Sequence, residues 1–180
     1  MLFKIQVIDG EKYAAAGNSI MVKTVSVEGA RGEILDRNGN PLVINRQGNS
    51  LIFDYSYFPS AKEQSKRNQI INALITMFEQ KGLEWIDNLP IVMSADGKSV
   101  EFEPDREKDI DELRTDFLEL QTYATAQNCI DALIEKYSLQ SYPLEQARKI
   151  ASVCYEMRRI VFSTSTPYTF ANDVPTDVVA

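Results

Sequence analysis

Arg31-Gly32-Glu33-Ile34-Leu35-Asp36-Arg37-Asn38-Gly39-Asn40-Pro41-Leu42 reads as a strand, a tight turn and a second strand. Gly39, helped by Asn38, supplies the positive φ that a tight hairpin turn demands, and the hairpin is expected to run over 33–45. Residues 20–27, Ile-Met-Val-Lys-Thr-Val-Ser-Val, are β-branched and partly alternating, which predicts a strand before it. Residues 50–57 predict a strand after it, giving a small β unit of three or four strands over 20–58. Charges flank the turn: Arg31 precedes Asp36, and Arg37 follows it directly. Arginine grips a carboxylate through two parallel hydrogen bonds. Such a pair would pin the hairpin to its own sheet or to a neighbouring domain. A plain surface ion pair, worth about 0–1 kcal/mol, is the alternative.

Beyond the β unit the pattern turns helical. Pro59-Ser60-Ala61-Lys62-Glu63 places Ser60 and Glu63 at capping-box spacing. Ile70, Ile71, Leu74, Met77 and Phe78 then predict one apolar helix face, with Gly82 as its stop. Two short strands, 90–93 and 99–102, are expected to join through Asp96-Gly97. Three helices follow. Their apolar faces are Ile110, Leu113, Phe117 and Leu120; then Cys129, Ile130, Leu133, Ile134 and Tyr137; then Ala147, Ile150, Cys154, Met157 and Val161. Pro143 opens the third, a position proline tolerates. Residues 167–171 predict a strand, 173–177 a turn and 178–180 the start of a helix. Three alanines ahead of Gly17-Asn18 favour a short helix over 9–18. Strands near both ends with helices between them predict an α+β fold. A small antiparallel sheet would be built from N- and C-terminal strands, with a mostly helical insertion over 59–162.

At 180 residues the chain can bury a core without disulfides or metal. A net charge of −7 argues against nucleic acid as partner. There is no histidine, which removes the Ser-His and Cys-His pairs and most transition-metal sites. Cys129 and Cys154 each sit in an apolar helical pattern and read as buried free thiols, although their pairing is open from sequence alone. No stretch approaches the roughly 18 apolar residues of a membrane helix. The apolar start, Leu2-Phe3-Lys4-Ile5-Gln6-Val7-Ile8, reads equally as an ordinary strand or as the trailing edge of something longer.

Chemistry-bearing patterns are few. Asp105, Glu107, Asp109, Asp111 and Glu112 cluster at a helix start, where the dipole favours carboxylates. Asp36-x-Asn38-x-Asn40 has its glycine misplaced for a calcium loop and lacks the closing glutamate. No serine has a lysine three residues on, and neither S-x-N nor K-[ST]-G occurs. No glycine-rich phosphate loop occurs either. No catalytic, cofactor or metal site is expected.

Residues 31–42 resemble the R-G-x-I-x-D-R-x-G-x-x-L motif of class B penicillin-binding proteins, with Arg31, Gly32, Ile34, Asp36, Arg37, Gly39 and Leu42 all in place. Val43 departs from the alanine that commonly follows. Residues 2–18 resemble the run that leaves the membrane helix in this family, and 167–180 the strand that leads back toward the catalytic domain. The resemblance implies the N-terminal dimerisation, or pedestal, domain. Its parts would be a juxtamembrane segment (1–19), a β unit with the hairpin (20–58), an insertion (59–162) and a returning strand with the next helix start (163–180). It further implies a parent D,D-transpeptidase that binds penicillin, with its membrane helix and catalytic domain outside this chain. The domain would lie on the extracytoplasmic face of a bacterial membrane. Implied partners are the transpeptidase domain itself, a cell-wall glycosyltransferase, scaffold proteins of the elongation or division machinery, and a second copy of the chain. A free-standing acidic α+β interaction domain is the other reading.

Overall fold

The computed structural model describes residues 32–43 and 48–179. Arg31, the helix expected over 9–18 and the strand over 20–27 lie outside them. The chain divides into two units, Met1–Gln47 and Gly48–Ala180.

In the first unit, β1 (Ile34–Leu35) and β2 (Pro41–Val43) pair antiparallel, as the turn residues predict. Gly39 takes φ +84°, a left-handed value that side chains with a Cβ disfavour.

The second unit is α+β. Strand β3 (Asn49–Phe53) pairs antiparallel with β6 (Tyr168–Val174), so the expected union of early and late strands is made here. The register steps from Leu51↔Ala171 to Ile52↔Thr169, which leaves one extra residue on β6. That bulge turns two consecutive side chains, Phe170 and Ala171, inward. A second irregularity lies between Asn49↔Val174 and Leu51↔Ala171. There Asp173 takes φ +54°. The strand thus runs on to Val174, past the start of the expected turn at 173. Helix α5 (Thr176–Val179) follows.

Between the paired strands lie α1 (Gln64–Gln80), the hairpin β4 (Ile91–Met93) and β5 (Val100–Phe102), α2 (Glu107–Asp111), α3 (Ala126–Lys136) and α4 (Leu144–Arg159). The buried face of α1 is Asn68, Ile71, Ile75 and Phe78. Ile70, expected on that face, is 41% exposed. The difference is a rotation of the stripe: Asn68 is drawn inside because its amide donates to the Tyr137 carbonyl at 2.8 Å. Ser60 caps no backbone amide. Its hydroxyl donates instead to Glu63, whose carboxylate also holds Lys66, and a 3-10 turn precedes the α-helix. The face expected over Ile110, Leu113, Phe117 and Leu120 breaks early, because α2 passes into a π-helical turn over Glu112–Phe117, leaving Leu120 beyond it. The capping of α3 is local: Thr125 and Asn128 exchange backbone and side-chain bonds.

Helix α4 is the spine, with α1 and α3 both packed on it. Ala147, Ile150, Ala151, Val153 and Met157 are buried in the common core. Cys129 and Cys154 are buried free thiols. Val161, expected on this helix, falls past its end and is 73% exposed. Phe170 of β6 gathers the aromatic core: Phe78 lies edge-on at 5.1 Å, Trp85 stacks at 5.7 Å and Phe53 sits at 5.8 Å.

Candidate functional site

The motif hairpin is organised by one carboxylate. Asp36 Oδ1 accepts the backbone N–H of Asn38 at 2.7 Å and of Asn40 at 2.8 Å, and Oδ2 accepts the Asn40 amide at 2.9 Å. The Asp36 N–H donates to the Asn40 carbonyl, and the Gly39 N–H to the Asp36 carbonyl. Asparagine and aspartate at these offsets build a backbone turn from a side chain. The Asn40 side chain foremost, with the backbone bonds, holds the Asp36 carboxyl below its ordinary value. The aspartate and asparagines spaced like the opening of a calcium loop are therefore occupied by the turn.

The arginine–carboxylate grip expected across this turn is not made by Arg37. Asp36 accepts three hydrogen bonds within the turn, and Arg37 is exposed with no ion pair among the described residues. Ile34 is 58% exposed, Leu35 51% and Leu42 68%. The motif residues thus divide by role: Asp36 builds the turn, Gly39 takes its left-handed conformation, and Ile34 and Leu42 are exposed. Gly32 precedes β1 with open space around it.

A second polar constellation escaped the sequence. Residues 83–90 have no regular structure, yet they are tied down at several points. The Ile86 N–H donates to the Phe170 carbonyl at 2.8 Å. Asp87 receives the Arg148 guanidinium and, at 2.6 Å, the Ser152 hydroxyl. Arg148 Nε donates to the Ile91 carbonyl at 2.7 Å, and Arg106 to the Asn88 carbonyl at 3.0 Å. Arg148, Ser152 and Glu156 recur every four residues along α4, so they form one buried polar stripe along the helix. Burial pushes the Glu156 carboxyl up, but the forked Arg159 contact at 2.7 and 2.8 Å outweighs it and leaves the group low. Two acids of the cluster at 105–112 are drawn into pairs: Arg106 holds Asp109 together with Glu103, and Arg114 meets Asp111.

A concavity of about 670 Å³ opens where α1, α3 and α4 converge, and Arg67, Lys136 and Arg158 line it. The helical pattern gave no reason to single these cations out. Among the described residues there is no group of acids or cysteines placed to hold a metal ion, and no helix long and apolar enough to cross a membrane.

No curated protein matches the sequence. A protein-family match covers residues 26–180, from ahead of the hairpin motif through β6 and α5, and its description is the penicillin-binding protein dimerisation domain. With most of its length inside that match, the chain belongs to the penicillin-binding protein dimerisation domain family.

Proposed function

We propose that this chain is the non-catalytic, extracytoplasmic domain of a class B penicillin-binding protein. It positions a transpeptidase domain and contacts partners in peptidoglycan synthesis. The family match over 26–180 carries this reading, and the complete R-G-x-I-x-D-R-x-G-x-x-L run supports the class B assignment. The hairpin is the part that would meet the transpeptidase domain. Its Asp36 fixes the turn internally, which leaves Arg37, Ile34, Leu35 and Leu42 exposed and available for such a contact. Arg31, Gly32 and Gly39 complete the motif. The remaining partners would be a cell-wall glycosyltransferase and scaffold proteins of the elongation or division machinery, with homodimerisation as a further use of the same domain.

The test is a binding titration between this chain and the transpeptidase domain of the same parent protein. The wild-type chain binds, and Arg37→Ala weakens binding tenfold or more. Binding that is indifferent to Arg37 and to Leu42→Ser would remove the hairpin from this role. In parallel, the chain alone takes no covalent label from a fluorescent penicillin; specific labelling would contradict a non-catalytic role.

A further inference from the structure

The pocket between α1, α3 and α4 carries a charge that the rest of the chain does not. The protein as a whole is at −7, yet the described residues lining this concavity include Arg67, Lys136 and Arg158 and no acid. Its volume of about 670 Å³ falls in the range of ligand sites, roughly 300–1,000 Å³.

None of the three cations has a carboxylate partner among the described residues, and for Arg67 the local structure offers no full substitute. Lys136 is accounted for, since its ammonium donates to the Phe117 carbonyl at 3.1 Å and lies 4.4 Å from the Phe117 ring. Arg67 has only soft partners: the Met157 sulfur at 3.6 Å and the Phe58 ring at 5.1 Å. Its Nε is buried without a hydrogen-bond partner, a state that ordinarily costs free energy. Arg158 makes no hydrogen bond or ion pair among the described residues. Tyr137 lines the same pocket as both guanidinium groups; burial foremost raises its phenol, and the charges of Arg158 and Arg67 pull against it.

Part of the wall is apolar and aromatic. Tyr55 and Phe162 meet edge to face at 5.3 Å, and Met157 and Val161 also line it. Val161 takes φ +56° at the position past a helix end where glycine is usual. A β-branched residue in that conformation is strained, and such strain gathers at functional sites. Its side chain is thereby held at the pocket mouth, 73% exposed.

We infer that this pocket receives an acidic peptide segment of a partner protein, its carboxylates meeting Arg67 and Arg158 and an apolar side chain lying against Tyr55 and Phe162. Charge complementarity selects the anion, because forked guanidinium groups match carboxylates in pairs. The thioether and aromatic walls select a segment with an apolar anchor over a bare anion. The inference rests on the reading of this chain as a partner-contacting domain. Its test reads the pocket alone and needs no transpeptidase domain, so the two fail separately.

The experiment is an NMR titration of the protein carrying ¹³C-methyl methionine with the capped peptide Asp-Glu-Phe-Asp-Glu. The expected result is a saturable shift of the Met157 methyl, a tenfold or greater loss of affinity in Arg67→Gln and in Arg158→Gln, and weakening with added salt. Arg158 is exposed, so its variant keeps the fold. The capped peptide Asn-Gln-Phe-Asn-Gln leaves the signal unmoved. An acidic peptide that shifts nothing at the Met157 methyl would overturn the inference. So would equal binding of the neutral peptide, affinity unchanged in both variants, or saturation by inorganic pyrophosphate where the acidic peptide fails.

Discussion

Among the described residues Asp36 holds the hairpin turn, since it accepts from Asn38 and Asn40 and closes the turn with its own backbone. Replacing it with alanine leaves two turn amides without their acceptor. Asp36→Ala is expected to abolish the hydrogen-exchange protection of the Asn38 and Asn40 amides, while protection in α4 is unchanged. The same bonds give a pH dependence. The folded carboxyl lies below its ordinary value of 3.8, so its contribution is present above that value and is lost as pH falls through the lower folded one. Amide exchange at Asn40 in acid should therefore quicken relative to that expected for an unstructured amide, and a flat relative profile would contradict it. Gly39 is the companion residue. At φ +84° it has open space where a Cβ would lie, so the penalty of Gly39→Ala is conformational alone, about 1–2 kcal/mol against the hairpin. A turn that tolerates alanine with unchanged chemical shifts would refute this. The turn residues were legible in the sequence because Asn-Gly between apolar runs has a local cause. The fate of the Asp36 charge was not, because an aspartate next to arginines reads as an ion-pair partner until the turn's own amides are seen to claim it.

Among the elements, α4 shows what periodicity reveals and what it hides. Ala147, Ile150, Cys154 and Met157 were readable as an inward face and are buried. The opposite side of the same helix is buried too, through Arg148, Ser152 and Glu156. A pattern read as apolar-in and polar-out assigns those three to solvent. Arg148 and Ser152 are inside because Asp87 of the irregular segment 83–90 meets both and the Ile91 carbonyl meets Arg148, while Glu156 is held by Arg159; an irregular segment leaves no periodic trace. Arg148→Ala would strand the Asp87 carboxylate with Ser152 as its remaining partner. Loss of one member of a buried pair costs about 3–5 kcal/mol, reduced here because the Asp87 side chain is 29% exposed. The expected outcome in urea unfolding is a loss of about 2–3 kcal/mol, larger than that of Ser152→Ala. Equal, small effects of both would show that the stripe is incidental. The same logic explains α1, where Asn68 belongs to the buried face and Ile70 does not. It explains α2 as well, where a π-helical turn ends a spacing that alone predicts a longer helix.

For the molecule as a whole, strand order was recoverable and its fine register was not. β-Branched and aromatic runs at 50–57 and 167–171 suggested early and late strands in one sheet, and β3 and β6 form that ladder. The bulge that turns both Phe170 and Ala171 inward has no signature in either strand by itself, because register is set by the pairing. The basic pocket was illegible for a similar reason: Arg67, Lys136 and Arg158 come from three separate helices. The core also protects its thiols. Cys129 is 0% exposed and Cys154 4%, and burial foremost pushes the Cys154 thiol up to about 12, with Arg67 opposing. Both should resist a thiol reagent in the native protein and react together on unfolding; modification of either at the rate of a free thiol would contradict the packing around α4. Service in a class B penicillin-binding protein is best tested by sequencing the coding DNA on either side of this chain. An upstream membrane-spanning run and a downstream S-x-x-K, S-x-N and K-[ST]-G set are expected in the same reading frame. A stop codon just past Ala180 and no upstream span would overturn the assignment.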